Sequence, residues 1–259
     1  GRVHDPGVRL PDREDRMRRN LAAWLALVLT VAGCGERRQL VVSAAMSLRE
    51  AFSVMEQRFE VGHPTVDVQL NFAASQELRT QIEHGAAVDV FASADPRPME
   101  ELRRLEMVKA PRIFALNEPV LIVHRDMAAR ISSLAELGAA RRIVIAGPDV
   151  PIGRYTQEIL ANASRSYGAD FRARVDARVV SHELNVKQVL TKVMLGEADA
   201  GIVYRTDVAT AAEQVVVVTI PPEINVTASY PIAVVKRAPR PQLARAWVEL
   251  VLSPRGQDV

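Results

Sequence analysis

Short apolar runs alternate along this chain with apolar stripes at helical spacing, and that alternation restricts the fold more than any other feature of the 259 residues. Residues 40–44 read as a short strand, after which Leu48, Ala51, Phe52, Met55 and Phe59 fall on one face of a helix. The plan repeats at once. Val66, Val68, Leu70 and Phe72 alternate as a half-buried strand, and a helix over 76–84 stops at Gly85. Ser47 and Ser75 occupy the two strand-to-helix junctions, where each is predicted to be an N-cap. Residues 88–93 form a third strand, and Pro96 and Pro98 open a helix reaching about residue 106. Strands over 113–116 and 120–123 flank Asn117-Glu118-Pro119, where the proline predicts an edge strand or a crossover.

A second set follows, with strands over 143–146, 177–180 and 200–204, helices over 155–163 and 186–195, and a closing strand over 215–220. Pro221-Pro222 breaks the pattern before a strand over 230–235 and a helix over 242–252. The expected fold is α/β and two-lobed, each lobe a mixed sheet flanked by helices with a ligand cleft between them. Lobe 1 is expected from residues 39–118 plus 222–259, and lobe 2 from 119–221. Two crossings make a hinge, since few torsions at 117–120 and 221–229 need change for closure. An aromatic content of 5% agrees with α/β layers rather than a sandwich built on aromatic cross-strand pairs.

Residues 1–33 are expected to lie outside this body. Met17-Arg18-Arg19-Asn20 precedes an apolar run over 21–32 and then Gly33-Cys34. This reads as a secretory signal, because the run is too short for a spanning helix, which takes about twenty residues. Residues 1–16 read as an upstream extension. Val31-Ala32-Gly33-Cys34 resembles a lipobox, in which the cysteine is acylated and becomes the new N-terminus; an ordinary signal peptide with an incidental cysteine is the alternative. The expected location is the periplasm or the extracytoplasmic face of the cell membrane, reached through a lipid anchor at Cys34 only.

Six of the 33 basic and four of the 31 acidic residues precede Cys34, which leaves 27 of each from there onward. A neutral body gives no reason to expect nucleic-acid binding, which would need a basic face, and an anion would have to be held by local geometry. With Cys34 the single cysteine, neither a disulfide nor a thiolate metal site is available.

Several reaction chemistries are missing. There is no Walker loop and no Gly-x-Gly-x-x-Gly, and His4, His63, His84, His124 and His182 show no metal-ligand spacing. Ser47 and Ser75 lie in no Gly-x-Ser-x-Gly elbow and have no base at a recognisable spacing, so neither an enzyme nor a cofactor nor a resident metal is expected. Present instead are helix starts whose N–H groups carry the positive end of a macrodipole. They are Ser47, Ser75, the Val150-Pro151-Ile152-Gly153 loop, and Asn185-Val186 ahead of Lys187. Closing the two lobes would surround a small anion from both sides. A single serine at such a junction is usually only a cap; the joint pattern carries the argument.

The motifs Ala45-Met46-Ser47-Leu48, Phe72-Ala73-Ala74-Ser75, Ala87-Val88-Asp89-Val90-Phe91-Ala92-Ser93-Ala94-Asp95, Val150-Pro151-Ile152-Gly153-Arg154-Tyr155, Asn185-Val186 and Gly201-Ile202-Val203-Tyr204 resemble those of the periplasmic molybdate-binding proteins of ABC importers. The resemblance covers nearly all of the chain from Leu40 onward. It implies the two-lobed binding-protein fold of the second type, and a monomer that captures molybdate or tungstate and delivers it to a permease with its ATPase. Carried over by position, it implies ligand contacts from the hydroxyls and amides of Ser47 and Ser75, the amides of Ile152 and Val186, and the hydroxyl of Tyr204. Molybdenum would enter only as its oxyanion. The departures are Met46 and Ile152, where small residues are common, and Ala74 and Gln76, where Ser or Gly is; none removes a donor.

Neutral donors suit a tetrahedral dianion because they discriminate by geometry. At about 1.5–3 kcal/mol per charge-assisted bond, six such bonds leave room for submicromolar capture after association costs. An all-donor site also disfavours protonated phosphate, whose O–H would meet no acceptor. The rival cargoes on the same fold are sulfate, thiosulfate or a small organic acid, each favoured by an Arg or Lys inside the cleft. Arg154 is the residue to watch, and a surface or interlobe ion pair is its expected role.

Overall fold

The computed structural model describes Gly1, residues 38–211 and residues 213–259; the predicted signal and Cys34 lie outside the described residues. The compact body is Gln39–Val259.

In chain order, strand β1 (Arg38–Ala45) leads through a 3-10 turn (Met46–Leu48) into helix α1 (Arg49–Gly62). Strand β2 (Val66–Ala73), helix α2 (Ser75–Glu83), strand β3 (Val90–Ala92), helix α3 (Pro96–Arg104) and strand β4 (Val108–Asn117) follow. The predicted stripe of α1 is realised: Phe52, Met55 and Phe59 are buried against the sheet. Helix α2 ends as expected, with Gly85 at φ 87°, a conformation that costs glycine nothing. Strand β4 starts earlier than the sequence predicts and runs through Pro111, which a strand at the edge of its sheet tolerates.

The chain then changes sheet. Strand β5 (Pro119–His124), strand β6 (Ile143–Ala146), helix α4 (Pro151–Tyr167), helix α5 (Phe171–Asp176), strand β7 (Val179–Glu183), helix α6 (Val186–Met194), strand β8 (Ala200–Tyr204) and strand β9 (Val215–Val218) form the second layer set. Strand β10 (Ala228–Val235) returns to the first sheet, followed by helices α7 (Pro241–Leu252) and α8 (Pro254–Gln257). The sheet orders are β2-β1-β3-β10-β4 and β7-β6-β8-β5-β9. Both are mixed: β1 pairs β3 in parallel while β10 is antiparallel to β3 and β4, and β6 pairs β8 in parallel while β5 is antiparallel to β8 and β9.

One open alternative is decided by the structure, and two sequence expectations need correction. Pro119, expected at an edge strand or a crossover, marks the crossover: β5 lies between β8 and β9, and the proline is its first residue, where its missing N–H breaks no ladder. Helix α4 begins at Pro151 rather than 155, because a proline at the first helical position supplies the right φ without any side-chain cap to announce it. The strand expected over 177–180 is β7, displaced toward Glu183 because α5, unread in the sequence, occupies the chain up to Asp176.

Scarce as they are, the aromatic rings concentrate on one path. Tyr155 and Tyr204 have centroids 6.4 Å apart, Tyr204 and Tyr230 5.7 Å, Tyr230 and Phe114 6.3 Å, and Phe114 and Phe52 5.9 Å. Phe52 then meets Trp247 at 5.6 Å. Tyr155 and Tyr204 belong to the second layer set and the others to the first, so edge-on ring contacts join the two lobes through their middle.

Candidate functional site

Where the two lobes meet, Ser47, Ser75, Ile152, Val186 and Tyr204 line one small cavity of about 20 Å³. The sequence-predicted positions are thus brought together, two from the first lobe and three from the second. The other lining residues are apolar apart from Asn185, and among the described residues no charged side chain lines the cavity. Room of this size admits an object of a few atoms and no more.

Neither serine is a helix cap, contrary to the sequence expectation. The N-caps of α1 and α2 are Leu48 and Ala74, and neither makes a side-chain capping bond. Ser47 sits inside the 3-10 turn and Ser75 is the first residue of α2, one position too late to cap it. Their hydroxyls have other partners. The Ala94 N–H donates to Ser75 Oγ at 3.1 Å, and Ser47 Oγ lies 3.3 Å from Tyr230 Oη.

The backbone contribution follows from helix starts. Ser75 and Val186 are the first residues of α2 and α6, and Ile152 is the second of α4. N–H groups at these positions have no carbonyl one turn earlier to bond, and they carry the positive end of the macrodipole. Asn185 caps α6 by accepting from the Gln188 N–H at 3.1 Å. Gly153 lets α4 come close: a Cβ there would collide with the carbonyl oxygen of Gly147.

Tyr204, 1% exposed, lines the cavity. Its hydroxyl has no hydrogen-bond partner among the described residues. Burial raises its pKa well above the usual tyrosine value, so the phenol stays protonated and able to donate. An orphaned buried donor costs about 1–3 kcal/mol, which an acceptor in the cavity would relieve.

Formal charges are paired beside the cavity rather than in it. Arg154, on α4, donates Nε–H to Asp95 Oδ2 at 3.0 Å and Nη1–H to the Asp149 carbonyl at 2.7 Å. Its guanidinium is therefore committed to a carboxylate of the opposite lobe. On another side of the cleft, Lys187 Nζ lies 2.9 Å from Glu50 Oε1 across the lobes and 3.1 Å from Asp207 Oδ1 in its own. Burial pulls the Lys187 ammonium down, but Asp207 and Glu50 outweigh it and raise its pKa. Burial lifts the Asp207 carboxyl to about 6 against the opposing pull of Lys187. Among the described residues no group of three or more His, Cys, Asp or Glu is placed to hold a metal ion.

Sequence reasoning missed Tyr230, Asn117 and the two carboxylates Asp95 and Glu50 that bridge the lobes. Tyr230 gave only the signal of a strand residue, since its partner Ser47 is 183 positions away. Asn117 was legible as part of a crossover, and nothing in the sequence links its amide to Tyr230.

Residues 40–259 match the family described as bacterial extracellular solute-binding protein. The molybdate-binding protein ModA of Mycobacterium tuberculosis is 37% identical over 224 residues, an alignment covering 86% of this chain and 82% of that protein. Among solved structures, the periplasmic molybdate-binding protein of Azotobacter vinelandii superposes with a TM-score of 0.72 at 20% identity, over 84% of this chain and 94% of that one. The sulfate-binding protein SubI of Mycobacterium tuberculosis gives 0.73 at 15% identity, over 85% of this chain and 83% of that one. At those identities the structures speak for the two-lobed type II fold and not for a cargo. The family match spans the compact body almost end to end, and the chain belongs to the bacterial extracellular solute-binding proteins, which carry a solute and do not convert it.

Proposed function

We propose that this protein captures molybdate or tungstate between its lobes and delivers it to the permease and ATPase of an ABC importer. The observation that carries the reading is the cavity lined by Ser47, Ser75, Ile152, Val186 and Tyr204, with no charged side chain in its lining and no partner for its buried phenol among the described residues. In this reading the hydroxyls and amides of Ser47 and Ser75, the amides of Ile152 and Val186 and the Tyr204 hydroxyl bind the oxyanion. Such an ion offers only acceptors, and the cavity offers donors. The name of the 37% identical relative agrees with this cargo. Commitment of Arg154 to Asp95 removes the guanidinium that would have favoured another anion, and the small volume disfavours organic acids of several carbons.

The moving bodies in this proposal are residues 39–118 with 222–259, and 119–221, each carrying part of the donor set. The protein acts as a monomer on the extracytoplasmic face of the membrane, held by a lipid on Cys34. Cys34→Ala should then leave the membrane fraction; a variant that still sediments with membranes refutes the anchor.

Melting the purified protein with molybdate, tungstate, sulfate and phosphate tests the cargo, because a ligand that binds only the folded state must raise the melting temperature. Molybdate and tungstate are expected to raise it at micromolar concentration. A shift with sulfate alone, or with none of the four, overturns the reading.

A further inference from the structure

Behind Ser47 lies a chain of hydrogen bonds whose direction can be worked out. The Asn117 Oδ1 accepts the Glu118 N–H at 2.9 Å, which fixes which end of the amide is oxygen. Its Nδ2 therefore donates, to Thr206 Oγ1 at 2.8 Å and to Tyr230 Oη at 3.3 Å. Tyr230 is 1% exposed, and burial raises its pKa, so its oxygen keeps a proton that needs an acceptor. Asn117 Nδ2 has no lone pair to offer, whereas Ser47 Oγ, at 3.3 Å, does. Tyr230 thus donates to Ser47, and the Ser47 proton is turned away from Tyr230.

Backbone geometry holds this arrangement. Pro231 has no N–H for the ladder, and the pairing of β10 with β4 slips between Tyr230 and Pro231, so the bulge aims Tyr230 at the turn that carries Ser47. The Pro231 carbonyl is tied down by the Ser93 N–H at 2.9 Å. Asn117, Tyr230 and Ser47 all belong to the first lobe, so the serine is oriented before the lobes close.

We infer that Asn117 and Tyr230 are positioning residues that lock the Ser47 hydroxyl as a donor toward the cavity, and that this lock makes the site select anions bearing no proton. The inference rests on the oxyanion-binding reading above. Ser75 shows the same polarity by other means, since a backbone N–H that cannot reverse donates into its oxygen. The Ser47–Tyr230 contact joins two hydroxyls and would be reversible if Asn117 did not set its sense. Without Tyr230 the Ser47 hydroxyl is free to rotate and to accept the O–H of a protonated anion such as hydrogen phosphate.

The test compares Tyr230→Phe with the parent protein by calorimetric titration of molybdate, sulfate and inorganic phosphate. Molybdate and sulfate, both free of protons at neutral pH, are expected to weaken together by about ten-fold, the scale of one misdirected charge-assisted bond. Phosphate is expected to weaken less or to strengthen, so the molybdate-to-phosphate preference narrows while the molybdate-to-sulfate preference holds. Parallel weakening of all three anions would mean that Tyr230 only supports the fold, and would overturn the lock. A second measurement needs no anion. Ser47→Ala removes the acceptor of the Tyr230 proton and should lower the melting temperature, and adding Tyr230→Phe should restore part of the loss. Absence of that restoration overturns the relay whatever the cargo. If the parent binds none of the three anions while the restoration is seen, the cargo reading fails and the relay stands.

Discussion

Arg154 crosses from α4 to donate to Asp95, the residue that caps α3 by accepting the Arg97 N–H at 2.6 Å, so one carboxylate both starts a helix of the first lobe and holds the second. The two side chains are 16% and 5% exposed. Removing one partner of an enclosed pair strands the other charge, a loss that reaches about 3–5 kcal/mol at full burial. Arg154→Met is expected to cost about 1–3 kcal/mol of unfolding free energy, the lower range reflecting its partial exposure. Asp95→Asn keeps an acceptor for the cap and should cost less. Urea denaturation of both variants and of the double variant checks this: the double variant should recover part of the loss, and simple additivity would show that the two residues are not coupled.

Tyr204→Phe should move stability and binding in opposite directions. Its hydroxyl is buried without a partner among the described residues, so deleting the oxygen is expected to stabilise the protein by about 1 kcal/mol when no anion is added. The same deletion should weaken molybdate by about 1.5–3 kcal/mol, the value of one bond to a charged group. Melting without ligand and titration with molybdate measure the two effects. A variant destabilised in the absence of ligand would show that the hydroxyl has a structural partner.

Gly153→Ala is predicted to disable the site while leaving the fold. The added Cβ meets the Gly147 carbonyl, so the start of α4 must move and carry the Ile152 amide with it. A loss of molybdate affinity of at least about ten-fold is expected, the scale of one charge-assisted bond, with an unchanged far-ultraviolet dichroism spectrum. Retained affinity would remove the Ile152 amide from the donor set.

How legible these features were depends on the range of the interaction that makes them. The stripe of α1 and the alternation of β2 are local patterns of burial, and each was readable within a dozen residues. The start of α4 was not, because Pro151 and a Val150 cap carry no hydrogen-bonding side chain to mark it. The serines are expected as helix caps, and neither is one. Each stands at a strand-to-helix junction, yet the hydroxyl of Ser75 is engaged by Ala94 and that of Ser47 by Tyr230, contacts that exist only once distant strands have paired. Arg154 forms the interlobe ion pair expected of it, but its partner Asp95 is 59 residues away, and no local pattern names it.

Asp207 gives the fold a pH dependence of unusual sign for a carboxylate beside a lysine. Burial lifts its pKa from 3.8 to about 6, and Lys187 only partly opposes this. Between about pH 4 and 6 the folded state therefore holds this proton more tightly than the unfolded chain, so the stability contributed by the group is lost as pH rises through that window. The loss is on the order of 2 kcal/mol. Asp207→Asn should abolish it: on going from pH 4.5 to 7 the parent is expected to lose stability relative to the variant by chemical denaturation. An equal change in both proteins would place the Asp207 pKa near its ordinary value.

The divided lining of the cavity bears on how a cargo would be unloaded. Ser47 and Ser75 ride on one lobe and Ile152, Val186 and Tyr204 on the other, and among the described residues no charged side chain lines the cavity. A carrier built this way needs no competing counter-ion at the membrane, since prying the halves apart by a few ångströms strips the ion of most of its shell in one movement. Opening also parts Arg154 from Asp95 and Lys187 from Glu50, two latches that must be undone before the ion can leave.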